Sequence, residues 1–236
     1  ANFPKIPHVA VFDTAFHQSI PSYAYMYGLP YDCYSKYRVR KYGAHGTSHQ
    51  FVAEKGAKFC GLDVNNSKII TCHIGNGSSI TAIVNGKSVD TSMGFTPLDG
   101  LIMGTRCGSV DPNVIPYLMK KENLSCDEMT EIMNKKSGFL GITGVSSDAR
   151  DLDDLANSGD PKAKLALKML TYGVIKYIGS YVAVMNGVDL IVFTGGIGEH
   201  NSRLRRRVCE NFPYLGLKFD YEANVAWGED TIISLP

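Results

Sequence analysis

The chain has 236 residues, enough to bury a full hydrophobic core in one large domain or two small ones. Its 24 Lys and Arg residues balance 23 Asp and Glu residues to a net charge of +1, so neither nucleic acid nor an anionic membrane is expected as a partner. Apolar runs stay well below the roughly 18 residues that a membrane-spanning helix requires. The first residues, ANFPKIPH, lack the parts of a signal peptide. The irregular character of both ends suggests that the chain is cut from a longer one.

The cysteines predict reduced thiols and a cytoplasmic location rather than a disulfide framework. None of them forms a C-x-x-C pair, and a chain of this length needs no disulfide staples. Cys107 follows Arg106, whose charge can stabilise a thiolate, but a buried and inert thiol is the favoured interpretation. The six are Cys33, Cys60, Cys72, Cys107, Cys126 and Cys209.

The first half of the chain predicts two buried strands, a helix and a hairpin. Residues 8–14 (HVAVFDT) indicate a strand that ends at Asp13, followed by an irregular connection. The apolar spacing favours a helix over residues 47–59. Residues 68–74 (KIITCHI) indicate a second buried strand. The Asn-Gly pair at 85 and 86 then predicts a β-hairpin over residues 78–93.

The second half is richer in helices. Two short helices are predicted, over residues 111–122 and 126–136, the second ending at Gly138, and a long helix covers residues 161–185. Residues 189–194 (DLIVFT) indicate a strand, which a glycine-rich turn joins to a helix over 201–210. Strands that alternate with helices and a hairpin predict an α/β domain around a mixed sheet.

Two glycine-rich turns, at residues 73–79 and 194–199, follow buried strands. Glycine lets backbone N–H groups approach a phosphate, and the second turn also opens a helix, whose N-terminus favours anions. Each turn alone is equally typical of a tight structural turn. Neither is a Walker loop, because the Gly-Lys-Ser at 86–88 lacks the upstream glycine and falls in the hairpin. Lys87 is therefore interpreted as a solvated turn residue.

Three further features could carry chemistry. His45 and His49 have the i, i+4 spacing of a zinc pair, but Gly46 stands where the H-E-x-x-H motif has its glutamate, so zinc is not favoured. Arg106 lies among glycines and small residues. A surface arginine rarely needs such neighbours, so they favour a functional role for Arg106. The alternative is that Arg106 is an incidental residue of a turn. The charged run at 148–154 would by composition be a solvated helix start.

These pieces, in this order, resemble the acetate kinase family, and the resemblance runs through the whole chain. The matching blocks are FDTAFHQ (12–18), YGAHGTSH (42–49), TCHIGNGSS (71–79), TSMGFTPLDGLIMGTRCG (91–108) and VFTGGIGE (192–199). The family belongs to a superfamily with sugar kinases, actin and heat-shock chaperones, whose members close two ribonuclease-H-like domains on ATP. The resemblance implies that residues 1–16 form the end of the first domain or the connection between the two domains. Residues 17–236 would form the second, nucleotide-binding domain, an α/β actin-like ATPase fold with a mixed sheet flanked by helices.

The resemblance implies nucleotide-binding roles in three segments. The phosphate loop would be His73, Ile74, Gly75, Asn76 and Gly77. The adenosine loop would be Gly196, Ile197, Gly198, Glu199 and His200, the last in place of the family's Asn. Asp148 and Arg150 would hold the ribose and flank the adenine, with Ala149 between them.

The resemblance also implies a catalytic group and an acyl pocket. His45 and Arg106 would stabilise the transferring phosphoryl group, and Asp13 matches a residue that the family describes as an acid or base. Pro97 would line the acyl pocket, and Ala44 replaces the Phe of some relatives. Acetate, however, is already ionised at neutral pH and needs no general base. We therefore expect Asp13 to orient Mg²⁺ or its water, or to hold Arg106, with a simple cap on a neighbouring N–H as the alternative.

The implied activity is reversible in-line phosphoryl transfer from ATP to acetate, giving ADP and acetyl phosphate. The cofactors would be ATP or ADP and Mg²⁺. The family's first phosphate loop, second arginine and metal ligands have no match here, so Mg²⁺ would be held mainly outside these residues and the chain alone would be inactive. A homodimer is implied. The alternatives are a propionate kinase and an isolated, non-catalytic domain that binds ATP or dimerises. A chaperone-like or actin-like ATPase is disfavoured because HGTSH and MGTRCG are blocks of the acyl kinases.

Overall fold

The computed structural model describes residues 6–225 and 228–236, and its centre is a four-stranded mixed sheet. The strands are β1 Lys68–Ile74, β2 Ser78–Val84, β3 Lys87–Thr91 and β4 Leu190–Thr194, in the order β3-β2-β1-β4. β1 pairs antiparallel with β2 and parallel with β4, which confirms the predicted α/β class with a mixed sheet. The β2–β3 turn has left-handed φ at both central residues, 51° at Asn85 and 74° at Gly86, as a two-residue hairpin requires.

Ten α-helices surround this sheet in the described part of the chain. They are α1 Ser22–Tyr25, α2 Tyr31–Tyr37, α3 Gly46–Phe59, α4 Val114–Glu122, α5 Cys126–Lys135, α6 Gly138–Thr143, α7 Ala149–Asn157, α8 Pro161–Met185, α9 Gly195–His200 and α10 Ser202–Cys209. Short 3₁₀ segments lie at Ala15–Ser19, Val64–Asn66, Pro213–Leu215 and Ala223–Val225. None of the helices described is both long and apolar enough to cross a membrane.

The side chains of β1 point alternately to the two faces of the sheet, and helices cover both faces. Ile70 and Cys72 belong to the large core that includes α8. Ile69 faces the other way and packs with Ala53 and Ala57 of α3. The sheet therefore lies between α8 and α3, and both faces of β1 are buried, as its nearly unbroken apolar sequence predicted.

Several predicted elements are confirmed. β1 covers the predicted 68–74, α3 covers 47–59 with one additional residue, and the hairpin lies within the predicted 78–93. The long helix α8 has the predicted bounds. Asp160 caps it by accepting a hydrogen bond from the Ala163 N–H at 2.6 Å, and Pro161 occupies its first position.

The strand predicted over residues 8–14 is wrong for the described part of the chain. These residues pair with no described strand, and Val9 and Val11 are 84% and 73% exposed. Alternation in sequence shows that a segment suits a sheet, but the strand forms only where a neighbour supplies the ladder. The irregular connection predicted after it contains a 3₁₀ segment and helices α1 and α2. Residues 1–5 of the predicted 1–16 connection lie outside the described residues.

The boundaries of four helical segments also differ from prediction. α4 begins at Val114 because Asp111 accepts a hydrogen bond from the Asn113 N–H and forms a turn before it. Gly138 opens the short helix α6 as well as following α5. The glycine turn after β4 is itself helical as α9, and the next helix, α10, is Ser202–Cys209.

Gly138 gives a test of how α6 is fixed against the loop that carries Arg106. Its φ is +65°, and a Cβ added there would lie 2.8 Å from the Arg106 carbonyl oxygen. We expect Gly138→Ala to lower the free energy of unfolding by about 2–4 kcal/mol, from left-handed strain plus overpacking. Gly144→Ala is the matched control, because its φ is +71° with no atom within 4 Å of the added Cβ. Urea unfolding should show the larger loss for Gly138→Ala, and equal losses would contradict the packing argument.

Candidate functional site

The two predicted glycine turns lie side by side at one edge of the sheet. They follow β1 and β4, which are parallel neighbours with His73 opposite Thr194. A Cβ added to Gly75 would lie 3.8 Å from the Gly196 nitrogen, so the two backbones nearly touch. The carboxyl ends of neighbouring parallel strands are where open α/β sheets bind ligands.

A cleft of about 880 Å³ opens beside these turns, a size that suits a nucleotide. Among the residues predicted to bind nucleotide, those that line it are Gly75, Asn76, Asp148, Ala149, Arg150, Gly196, Ile197 and His200. The structure thus brings together three segments that are far apart in sequence.

Sequence reasoning missed about half of the cleft lining. The missed residues are Ser147, Asp153, Asp154, Asn157, Asn201, Ser202 and Arg203. Asn201 donates to Asp153 at 2.7 Å and Arg203 donates to Asn157 at 2.9 Å, so the walls from α7 and α10 are tied together. The spacing 150, 153, 157 marks one face of a helix. This helical spacing begins within the charged run at 148–154, which was interpreted from its composition alone as a solvated helix start.

Five residues predicted to bind nucleotide lie outside the cleft lining. Ile74 is buried in the core, and Gly198 packs against β1. The Glu199 carboxylate accepts hydrogen bonds from the Thr194 hydroxyl at 2.9 Å and the Gly195 N–H at 3.1 Å. The first backbone N–H of α9 is therefore bonded to the protein's own carboxylate. His73 and Gly77 belong to the neighbouring cluster described below.

Asp148 and Arg150 are bound to each other. Asp148 accepts from the Arg150 N–H at 2.8 Å, which caps α7, and from the guanidinium Nη2 at 2.6 Å. These hydrogen bonds lower the pKa of Asp148, so the carboxylate stays ionised. The Arg150 side chain is largely exposed at the cleft, with its guanidinium held by Asp148.

Four histidines, His17, His45, His49 and His73, form what we call the histidine cluster. The rings of His45 and His73 stack at 4.1 Å, and those of His17 and His49 lie 5.9 Å apart. Burial lowers the pKa of all four, that of His49 most completely because it is fully enclosed. Burial, and then the neighbouring His73, lower the pKa of His45 to about 4. All four rings are therefore neutral at pH 7.

Hydroxyl and carbonyl groups hold these rings in place. His17 Nε2 donates to the Ala44 carbonyl at 2.9 Å, and its Nδ1 lies 2.9 Å from the Ser88 hydroxyl. His73 Nδ1 lies 2.8 Å from the Ser48 hydroxyl. Both nitrogens of His49 are hydrogen-bonded to hydroxyls, so the pair at 45 and 49 offers no zinc site. No cluster of three potential metal ligands occurs within residues 6–225 and 228–236.

His45 and Arg106 converge on Gly77. A Cβ added to Gly77 would lie 3.3 Å from His45 Nε2 and 3.5 Å from Arg106 Nη1. Arg106 donates to the Pro97 carbonyl at 3.2 Å, and it forms no ion pair with any described carboxylate. A free cation, an imidazole edge and a glycine backbone around one point can bind an anion.

Asp13 fixes the backbone of His45. His45 has a left-handed φ of 57°, and its N–H donates to the Asp13 carboxylate at 2.6 Å. The Gly46 N–H donates to the Asp13 carbonyl at 2.8 Å, and a side chain at 46 would clash with that carbonyl. The Asp13 carboxylate therefore caps a neighbouring N–H and forms no ion pair with Arg106 among the described residues, whereas its orientation of Mg²⁺ or of a water stays a prediction.

The two predicted acyl-pocket residues have different surroundings. Ala44 is buried and packs with Met93 and Met103. Pro97 is exposed, and its carbonyl accepts the arginine. Burial raises the pKa of the Cys107 thiol despite the adjacent Arg106, which agrees with an inert thiol. All six cysteines are unpaired.

Comparison with known proteins gives one consistent result. A profile of the acetokinase family matches residues 1–236. The acetate kinase of Acetivibrio thermocellus is 57% identical over 99% of this chain and 58% of its own length. The crystal structure of Porphyromonas gingivalis acetate kinase has a TM-score of 0.94 at 49% identity, over 96% of this chain and 57% of that one. A propionate kinase from Francisella tularensis has a TM-score of 0.93 at 46% identity, over 99% and 60%. The chain spans about 58% of the length of the curated relatives it matches.

The histidine cluster predicts acid sensitivity. Because the folded-state pKa values lie below the unfolded value of about 6.5, the unfolded chain binds more protons below that pH. Stability should therefore be complete above about pH 6.5 and should fall as the pH drops toward 5. Urea midpoints at pH 7 and 5 measure this loss, which should shrink in His49→Gln and persist in the control His8→Gln. A pH-independent midpoint, or an unchanged loss in His49→Gln, would contradict the argument.

Proposed function

Because the chain belongs to the acetokinase family, we propose that it supplies the nucleotide-binding half of an enzyme that reversibly transfers a phosphoryl group from ATP to acetate. The products would be ADP and acetyl phosphate. The observation that carries this proposal is the convergence of His45 Nε2 and Arg106 Nη1 on Gly77, beside a nucleotide-sized cleft. In this arrangement the adenosine occupies the cleft and the phosphates run along the Gly75–Gly77 backbone toward the two side chains.

The main obstacle to this reaction is the repulsion between a carboxylate and a triphosphate. Arg106 carries a permanent charge that needs no proton transfer and has no competing ion pair in the described chain. At about 4 Å and an effective dielectric constant near 20, one charge contributes roughly 4 kcal/mol. That corresponds to about 10³ in rate, within the range that an arginine contributes to phosphoryl transfer. His45 adds a hydrogen bond without adding charge.

The residues around Gly77 do not by themselves fit a magnesium site. Mg²⁺ prefers several oxygen ligands. The two carboxylates that act on the pKa of His73 are those of Asp13 and Glu199. Both already accept backbone hydrogen bonds, Asp13 from the His45 N–H and Glu199 from the Gly195 N–H. We propose that Mg²⁺ is held by the ATP phosphates and by ligands outside these 236 residues. Residues 17–236 would then be the second domain, and the exposed run at 8–14 would belong to the connection with the first.

Acetate is the proposed acceptor, with propionate as the second candidate. Ala44 is the specific reason to keep propionate, because it is smaller than the Phe of some relatives at the place where it packs with Met93 and Met103. The similarity to a solved propionate kinase points the same way. The reduced thiols and the use of ATP support a cytoplasmic enzyme.

A homodimer through α8 is also proposed. Leu165, Met169 and Tyr172 are 52%, 43% and 68% exposed and share one helix face at i, i+4 and i+7. An exposed apolar stripe on a well-packed helix is typical of an interface. Sedimentation velocity should give a dimer at micromolar concentration that Met169→Glu dissociates, whereas Tyr117→Glu on α4 should not. A monomeric wild-type chain would contradict the proposal.

The alternative is a nucleotide-binding module that performs no transfer, which the complete cleft within this chain would support. We expect the 236-residue chain to bind ADP weakly in calorimetry and to form no acetyl phosphate from ATP and acetate. Gly196→Val should abolish binding, because a side chain there meets no protein atom within 4 Å and would protrude into the cleft. Gly28→Val is the control, since it too has free space but lies away from the cleft.

Extending the chain to the full length of its relatives separates the two functions. Transfer activity in the extended protein would establish the enzyme, and nucleotide binding without transfer would establish the module. Robust acetyl phosphate formation by the 236-residue chain would contradict the proposed division of the site.

A further inference from the structure

The face of the sheet beneath α3 changes from apolar to polar along its length. At one end of this face, Ile69 and Ile83 are core residues. Toward the glycine turn, the same face carries Thr71, His73 and Ser79. Thr71 and Ser79 have no exposed surface. Buried hydroxyls cost stability unless they are hydrogen-bonded, so such a patch requires partners. His45 and His49 of the histidine cluster supply them.

The Ser79 hydroxyl lies between two imidazole rings. It is 2.8 Å from His45 Nδ1 and 2.7 Å from His49 Nε2. The far nitrogen of His49, Nδ1, lies 2.7 Å from the Thr71 hydroxyl. These contacts form one chain, Thr71–His49–Ser79–His45, whose last ring reaches Gly77 through Nε2.

A hydroxyl has one hydrogen, so Ser79 donates to one ring and accepts from the other. Since both histidines are neutral, each ring also carries a single N–H. Only two arrangements satisfy every contact. In the first, Thr71 donates to His49, His49 to Ser79 and Ser79 to His45 Nδ1, which leaves the His45 proton on Nε2. In the second, every bond is reversed and His45 presents a bare lone pair at Nε2.

These two arrangements have opposite consequences for an anion near Gly77. A proton on Nε2 offers a hydrogen bond to a phosphoryl oxygen, whereas a lone pair repels it. We propose that Ser79 and His49 are positioning residues that set the tautomer of His45, so that an N–H at Nε2 faces the transferring phosphoryl group. The inference rests on the proposed function, because only a phosphoryl group near Gly77 requires the proton of His45 to be on Nε2.

The chain of hydroxyls and rings also explains why His45 needs no positive charge. The ring donates as a neutral group, and its orientation is fixed on both sides, by Ser79 at Nδ1 and by Asp13 at the backbone N–H. Without Ser79 the neutral ring would distribute its proton between two nitrogens. Part of the population would then be unable to donate.

The direct test is nitrogen NMR on the full-length enzyme labelled at histidine. With ADP and aluminium fluoride bound as a stand-in for the phosphoryl group, we expect His45 to carry its proton on Nε2. The Ser79→Ala variant should show a mixture of both tautomers. A proton on Nδ1 of His45 in the liganded wild type would overturn the proposal, and that readout does not depend on how well any variant folds.

Kinetics provides the second readout. Ser79→Ala should lower kcat by about 10- to 100-fold with little change in the KM for ATP, the range typical of losing a partner that orients an active-site group. Ser79→Thr, which keeps a hydroxyl, should recover part of the loss. Ser88→Ala is the matched control, because its hydroxyl also contacts a ring of the cluster, His17 at 2.9 Å, without reaching His45.

The outcomes separate this inference from the proposed function. Equal losses in Ser79→Ala and Ser88→Ala would show a merely structural role and would overturn the inference. Arg106→Ala tests the function itself. A wild-type kcat in Arg106→Ala would contradict the proposed site, whatever the tautomer of His45. A large loss there with unchanged kcat in Ser79→Ala would contradict only the inference.

Discussion

The parallel pairing of β1 with β4 is the constraint on which the site depends. It joins strands more than a hundred residues apart in sequence and aligns His73 with Thr194, so both glycine turns leave the sheet at the same edge. The cleft and the histidine cluster both lie next to that edge. Parallel strands need a long crossover connection, and here the crossover contains the hairpin, the Arg106 loop and α7, which forms one wall of the cleft.

The chemistry of the site follows from burying neutral groups around one permanent charge. The four clustered histidines are kept uncharged by burial, and their hydrogen bonds go largely to hydroxyls. Arg106 is the nearby cation, held by a proline carbonyl rather than by a carboxylate. Under the proposed function, an anion near Gly77 would meet oriented donors and the charge of Arg106, with little reorganisation needed. The Asp13 carboxylate accepts the backbone N–H of His45 at 2.6 Å, and we propose that this contact, rather than a proton transfer, is its contribution.

Local signals were sufficient to predict several elements. Asn85-Gly86 defines a hairpin turn and Asp160-Pro161 defines a helix start, and both were predicted. The strand at 8–14 failed because alternation carries no information about a pairing partner. The relay through Ser79 could not be predicted, since it joins residues from β1, β2 and α3 through hydroxyl positions that no motif encodes. The family resemblance identified His45 and Arg106, but their convergence on Gly77 required coordinates.

The carboxylate of Glu199 has a consequence for how a nucleotide is received. By accepting hydrogen bonds from Thr194 and Gly195, it completes the first turn of α9 from within the protein. Loops that cradle nucleotides often become ordered only when the ligand arrives, and part of the binding energy is then lost to that ordering. Here two donors of the loop are already satisfied within the protein, so its shape does not depend on a ligand to supply those hydrogen bonds. If the cleft takes the proposed nucleotide, less of the binding energy would be lost to ordering this loop.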